Sequence, residues 1–307
     1  MRVGNALKLA CVGFGLGVLL RVVQMLYFFD YDTGFYTDGG VMAWLSLGVP
    51  LAAAVAGGVL CFRSRRYFGP YVPRRNVLVG VVGLLSAAAL LCSAALQFLG
   101  RGSNPSDLSY SGYNAATHQV IHTGFWVGCV LFGLVQLVVS VGFFTGKNTL
   151  EKAPLLYLTG VFWGLCYLVL VYVFYARSAS FVENFFSVIS AAALVLALFY
   201  LCKLFAGADE EGAAKRLFVT GILAVVLTLT YTVPNLALLL LDRSYPGEIP
   251  PAIQLASLGV AAFLLLFLVT FRKYSLRRTP KGGTERPVPR HGARSQMGEG
   301  PAGPSPM

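Results

Sequence analysis

Charge is what this sequence has least of. Only 12% of its 307 residues are Asp, Glu, Lys or Arg, against roughly 25% in an ordinary soluble domain. Hydrophobic residues make up 56%, and the mean hydropathy is +0.69. A chain so composed cannot cover a water-facing surface and belongs in a bilayer.

Other absences exclude particular chemistries. There is no HExxH of a zinc protease, no GxxxxGK[ST] phosphate loop of a nucleotide-driven pump and no GxSxG nucleophile elbow. Histidine is scarce: His118 and His122 lie in "THQVIHTGFW", and His291 lies near the C-terminus. The first two are one turn apart on a single predicted helix, so they cannot be opposite axial ligands of a haem held between two helices. The six cysteines (Cys11, Cys61, Cys92, Cys129, Cys166 and Cys202) contain no CxxC pair, and one falls in each of the first six apolar segments. Disulfide and structural-zinc frameworks fail on that spacing, and such thiols act as small hydrophobes. No redox cofactor is expected.

What the sequence does have is long apolar runs. Spanning about 30 Å of hydrocarbon takes roughly 20 helical residues. Runs of that size are predicted at about 5–29, 41–62, 76–99, 118–144, 154–175, 182–206, 215–241 and 251–271. The expected fold is an all-α bundle of eight transmembrane helices over residues 1–275, followed by a tail at 276–307. The first run follows Arg2 and Lys8 as a signal peptide would, yet it has no small-residue cleavage pattern and continues to Phe29, so it is read as a retained span.

Positive charge sets the expected orientation. Alternating segments collect 20 of the 24 Lys and Arg on one side and three on the other, with Arg21 the remaining one. Both termini are therefore predicted to be cytoplasmic, in the cell membrane. The basic stretches "FRSRRYFGPYVPRR" (62–75) and "FRKYSLRR" (271–278) explain the net charge of +11 as membrane anchoring. The expected partners there are anionic lipid head groups rather than nucleic acid. The tail is rich in Pro, Gly and Ser and has little to bury, so disorder is predicted for it.

Polar residues inside the spans point to a working region. On this topology the outer halves contain Arg21, Gln24, Gln97, His118, Gln119, His122, Glu183, Asn184, Thr230, Thr232, Asn235 and Gln254, whereas Gln136 and Ser140 are the clearest in the inner halves. Pro234 adds an interrupted backbone hydrogen bond in the seventh span. Asp30, Asp32, Asp38, Asp107, Asp242 and Glu248 make the outer mouth acidic. Buried polar residues in a membrane face protein, water or a ligand, so Arg21, Gln24, Gln97, His118, His122, Glu183, Asn184 and Asn235 are candidate ligand-binding residues for a small molecule arriving from outside. Cys129 lies near the stripe of His118 and His122, which leaves a metal reading open beside a structural one.

Arg21 poses the sharpest question. It sits in "GVLLRVVQMLYFF" (17–29), past the middle of the first span, and helix side chains lean toward the N-terminus and so away from the nearer surface. It requires a partner inside the protein. Gly13, Gly17, Arg21 and Gln24 form one helical stripe on which the glycines admit a neighbouring helix. Glu183, the carbonyl freed by Pro234, Gln97 or an anionic ligand are the candidate partners. Aromatic-rich outer hairpins at 27–40 and around "YVFYARSASFVENFF" raise the further possibility of two parallel four-helix repeats. Three functions stay open: a permease or carrier, a membrane sensor or accessory subunit, and an intramembrane enzyme.

Overall fold

A computed structural model describes residues 2–30, 36–64, 67–68, 71–100, 115–175, 182–208, 210–240 and 249–277. They form eight helices long and apolar enough to cross a membrane. In chain order these are α1 (Arg2–Tyr27), α2 (Val41–Phe62), α3 (Val77–Gly100), α4 (Ala115–Thr145), α5 (Leu158–Leu170), α6 (Val182–Phe205), α7 (Glu210–Leu240) and α8 (Pro251–Ser275). A 3₁₀ turn, Pro154–Tyr157, leads into α5, and a π-helical turn, Val171–Tyr175, ends it. The bounds differ from the sequence reading mainly at the ends, where polar residues such as Glu210 continue the helix beyond its apolar run. The predicted disordered tail lies outside the described residues except for Leu276 and Arg277. These two pair antiparallel with Tyr67 and Phe68, so order continues past the expected boundary at 275.

Local chemistry explains where the helices begin. The Asp38 carboxylate accepts from the amides of Gly40 at 3.0 Å and Met42 at 2.6 Å, holding the first turn of α2, while Gly39 and Gly40 take the left-handed backbone that this approach requires. Asn76 does the same for α3 through Val79, at 3.2 Å, and donates its own amide to the Phe143 carbonyl at 2.8 Å.

Six helices close a ring, with α3, α4, α5, α6, α7 and α8 packed in that order and α8 returning to α3. The hairpin of α1 and α2 lies against α7, which makes α7 the most buried span. The two four-helix halves pack differently: α7 touches α1, α2, α6 and α8, whereas α3 in the corresponding place packs on α4 and α8. Small residues set the spacing. A Cβ at Gly128 would come within 3.2 Å of the Trp163 backbone, and one at Gly259 within 3.1 Å of Ser86.

The loops that the charge pattern puts together meet at one end of the bundle. Gly4 lies against Arg272, Gly146 against Arg75, and Tyr71 packs on Phe205 at 4.9 Å between ring centres and on Phe267 and Phe271 at 6.2 Å. This basic end is floored by aromatic rings. Burial there pushes the Tyr71 phenol well above its usual range.

Candidate functional site

The candidate residues fall into three separate places. The first is built on α1. Its stripe of Gly13, Gly17, Arg21 and Gln24 faces α2 and α7. A Cβ at Gly17 would stand 2.8 Å from both Pro50 Cγ and Thr230 Cγ2, so glycine is what lets the three helices meet. One turn further, Arg21 is only 3% exposed and Gln24 is fully buried. The guanidinium Nη1 donates to Gln24 Oε1 at 3.0 Å, and the Ser46 hydroxyl of α2 donates to the same oxygen at 2.9 Å. Gln24 thus carries the charge-assisted bond onward to a second helix. The ring of Tyr231 on α7 lies 5.5 Å from the guanidinium carbon, a cation–π distance.

Two prolines fall at this place, and they act on the backbone in the same way. Pro50 in α2 and Pro234 in α7 lie inside helices that continue through them. Each lacks the amide that would bond the carbonyl four residues earlier. Those carbonyls belong to Ser46 and Thr230, the residues that meet Gln24 and Gly17. Thr230 Oγ1 and both amide atoms of Asn235, one turn beyond Tyr231, are buried and have no hydrogen-bond partner among the described residues. A buried amide with neither donor nor acceptor satisfied costs about 1–3 kcal/mol per group unless something else meets it.

Nearby, Ser190 of α6 and Thr228 of α7 share a hydrogen bond at 2.7 Å, and Thr232 donates to the Thr228 carbonyl at 2.8 Å. Asn184 is also buried, near the start of α6. The Glu183 side chain, a candidate partner of Arg21, lies outside the described residues.

The second place is the middle of the six-helix ring. Gln97 Nε2 donates to Ser93 Oγ at 3.0 Å, Ser93 hydrogen-bonds Cys129, and Trp163 Nε1 donates to Cys129 Sγ at 3.2 Å. The indole stacks on Tyr167, with ring planes 1° apart and centres 5.5 Å apart, and Tyr167 hydrogen-bonds Ser257 of α8. Gln97 therefore belongs to this neutral chain, not to Arg21. Gln254, one turn from Ser257, reaches the Ile249 carbonyl through Nε2 at 3.4 Å, while its Oε1 is buried with no hydrogen-bond partner among the described residues.

The third place holds the histidines. His118 and His122 face each other at 4.2 Å between ring centres, and both rings pack on Phe174, at 4.9 and 5.4 Å. Phe174 belongs to the π-helical turn that ends α5. Cys129, the sulfur on nearly the same face, is engaged by Trp163 instead. Among the described residues no three His, Cys, Asp or Glu side chains converge as a metal site would require.

Sequence reasoning missed Ser46, Tyr231 and Pro50. Ser46 and Pro50 share a four-residue interval with Thr230 and Pro234, a signal that was readable once α2 and α7 were known to be neighbours. Compared with known protein families, curated proteins and solved structures, the chain matches none.

Proposed function

We propose that this multi-pass membrane protein is a small-molecule carrier, with the Arg21 cluster as its binding region. The ligand class the cluster suits is a small solute bearing a carboxylate or similar planar anion, because a guanidinium fork matches that geometry. One observation carries the reading. The buried cation lies where two continuous helices each contain a proline, one turn from a residue of the cluster, and each proline frees a backbone carbonyl within the span that a solute could meet beside the charge. Thr230, against Gly17, and Asn235, one turn beyond Tyr231 on the same helix, would supply further donors and acceptors. In this reading the basic end is cytoplasmic, in the cell membrane, and the solute arrives from the opposite, acidic side.

The test is binding and uptake with one reconstituted protein. Thermal unfolding in lipid nanodiscs is followed against a panel of small mono- and dicarboxylates and amino acids, and any stabilising compound is then offered, radiolabelled, to proteoliposomes. A compound that stabilises the native chain, fails to stabilise Arg21→Gln and enters proteoliposomes above empty vesicles is the expected result. If Arg21→Gln inserts normally and keeps both effects, charge is irrelevant and the anion reading fails.

A second reading, a membrane sensor or accessory subunit, is favoured by the aromatic floor around Tyr71, beyond which the described helices offer little polar path. Binding without uptake would select it.

A further inference from the structure

The seam between α2 and α7 opens on the lipid-facing side as a groove of about 310 Å³, distinct from the Arg21 cluster. Its walls are apolar, formed by Ala54, Val55, Gly58 and Val59 on α2 and by Val219 and Leu223 on α7. Its floor is formed by two small residues, Ala54 and Gly58, and a Cβ added at Gly58 would stand 3.4 Å from the Val219 side chain, in ordinary contact. At one end the groove finishes on Phe62 and Arg63. There Lys215, one turn before Val219 on α7, places its Nζ 4.8 Å from the Phe62 ring. Both walls therefore run from small or branched apolar residues to a cation, Arg63 lining the end of the groove on one side and Lys215 lying over the Phe62 ring on the other.

We propose that this groove binds one anionic phospholipid, with an acyl chain along the seam and the phosphate between Arg63 and Lys215. Length fits: the nine helical rises from Ala54 to Arg63 extend about 13–14 Å at 1.5 Å per residue, close to one leaflet's share of about 30 Å of hydrocarbon. Charge fits as well, since cations at this depth meet the head-group layer of whichever leaflet covers the basic end. Polarity excludes a soluble ligand, because the walls between Ala54 and Val59 present nothing to hydrogen-bond. A second copy of the chain would leave Arg63 and Lys215 facing the same residues on its partner, like charge against like.

The full chain, reconstituted in bilayers of equal phosphatidylglycerol and phosphatidylcholine and released for native mass spectrometry, tests this. The expected result is one retained phosphatidylglycerol per chain, preferred over phosphatidylcholine by roughly thirtyfold, from about fivefold for each cation near the surface. Arg63→Gln and Lys215→Gln should each remove about fivefold of that preference, and together nearly all of it. Val59→Trp, at a lipid-exposed position that the fold does not need, should abolish retention with both cations intact. Lys147→Gln with Lys152→Gln, exposed cations elsewhere at the same end, should change nothing. Equal retention of the two lipids, or a preference that survives the double substitution or Val59→Trp, would overturn the proposal. So would release as a dimer that Val59→Trp dissociates.

Discussion

Two regions of this bundle bury polar side chains in different ways. In the six-helix ring, hydrogen bonds join Gln97 to Ser93, both Ser93 and Trp163 to Cys129, and Tyr167 to Ser257 with no formal charge, and the stacked rings of Trp163 and Tyr167 link the two parts. At the α1–α2 hairpin, a guanidinium donates to the Gln24 amide oxygen, which also accepts from the Ser46 hydroxyl, and lies against the Tyr231 ring. The polar chain of the ring carries no charge, although Gln97 Oε1 and nearby Gln254 Oε1 are buried with no hydrogen-bond partner among the described residues. A charge within a span costs about 2.5–3.5 kcal/mol to insert, and a charge-assisted hydrogen bond such as that from Arg21 to Gln24 returns about 1.5–3 kcal/mol. The contrast is between a neutral polar chain and a buried charge.

The largest expected effect lies in the ring. Trp163→Ala removes a fully buried indole and should cost about 3–5 kcal/mol. Thermal unfolding in a fixed lipid background reads this as a fall in midpoint, and a midpoint unchanged by Trp163→Ala would show that the ring is not the stability core.

The Arg21 cluster should respond in the opposite sense. Arg21→Gln should insert and unfold within about 1 kcal/mol of the native chain while losing roughly a hundredfold in affinity for a carboxylate solute, about 2.7 kcal/mol for a charge-assisted pair. Arg21→Lys keeps the charge but not the fork and should lose about tenfold. Were Arg21→Gln instead to unfold the protein as severely as Trp163→Ala, the two regions would be alike and the cluster structural.

Gly17→Val sharpens the comparison further, since its added methyls meet Pro50 and Thr230. It should cost about 1–3 kcal/mol by overpacking and lower solute binding along with stability. A neutral Gly17→Val would mean that α1 is not pinned at this level.

The smallest effect belongs to the histidines. His118→Ala with His122→Ala should leave the protein inserted and within about 1 kcal/mol of native, because surface-proximal changes rarely exceed that. Elemental analysis of the purified native chain is the complementary measurement. A tightly bound metal that the double variant lacks would promote His118 and His122 from packing partners of Phe174 to ligands.

The spans were legible in the sequence because a bilayer imposes a length on every helix, and "GVLLRVVQMLYFF" already required Arg21 to face protein. Neighbour relations were not legible. Small-residue stripes occur on α1, α2, α3, α4 and α8 alike, so nothing in the alternation of charge distinguishes the partner of α1 from any other helix. Gln97 and Asn235 therefore read as members of one outer cavity, although the ring places Gln97 on Ser93 and the hairpin lies outside the ring. Ser46, in "AWLSLGVP", is a single small hydroxyl without compositional weight. Only its position beside Gln24 gives it a role.

The shelter of Arg21 also has a timetable. Gln24 and Ser46 leave the ribosome with it, but Thr230 and Tyr231 follow roughly two hundred residues later, some tens of seconds at about 5–20 residues per second. During that interval the first hairpin holds a charge in the membrane with only part of its enclosure. A chain that stops before α7 keeps the bond from Arg21 to Gln24 but lacks the Tyr231 ring over the guanidinium.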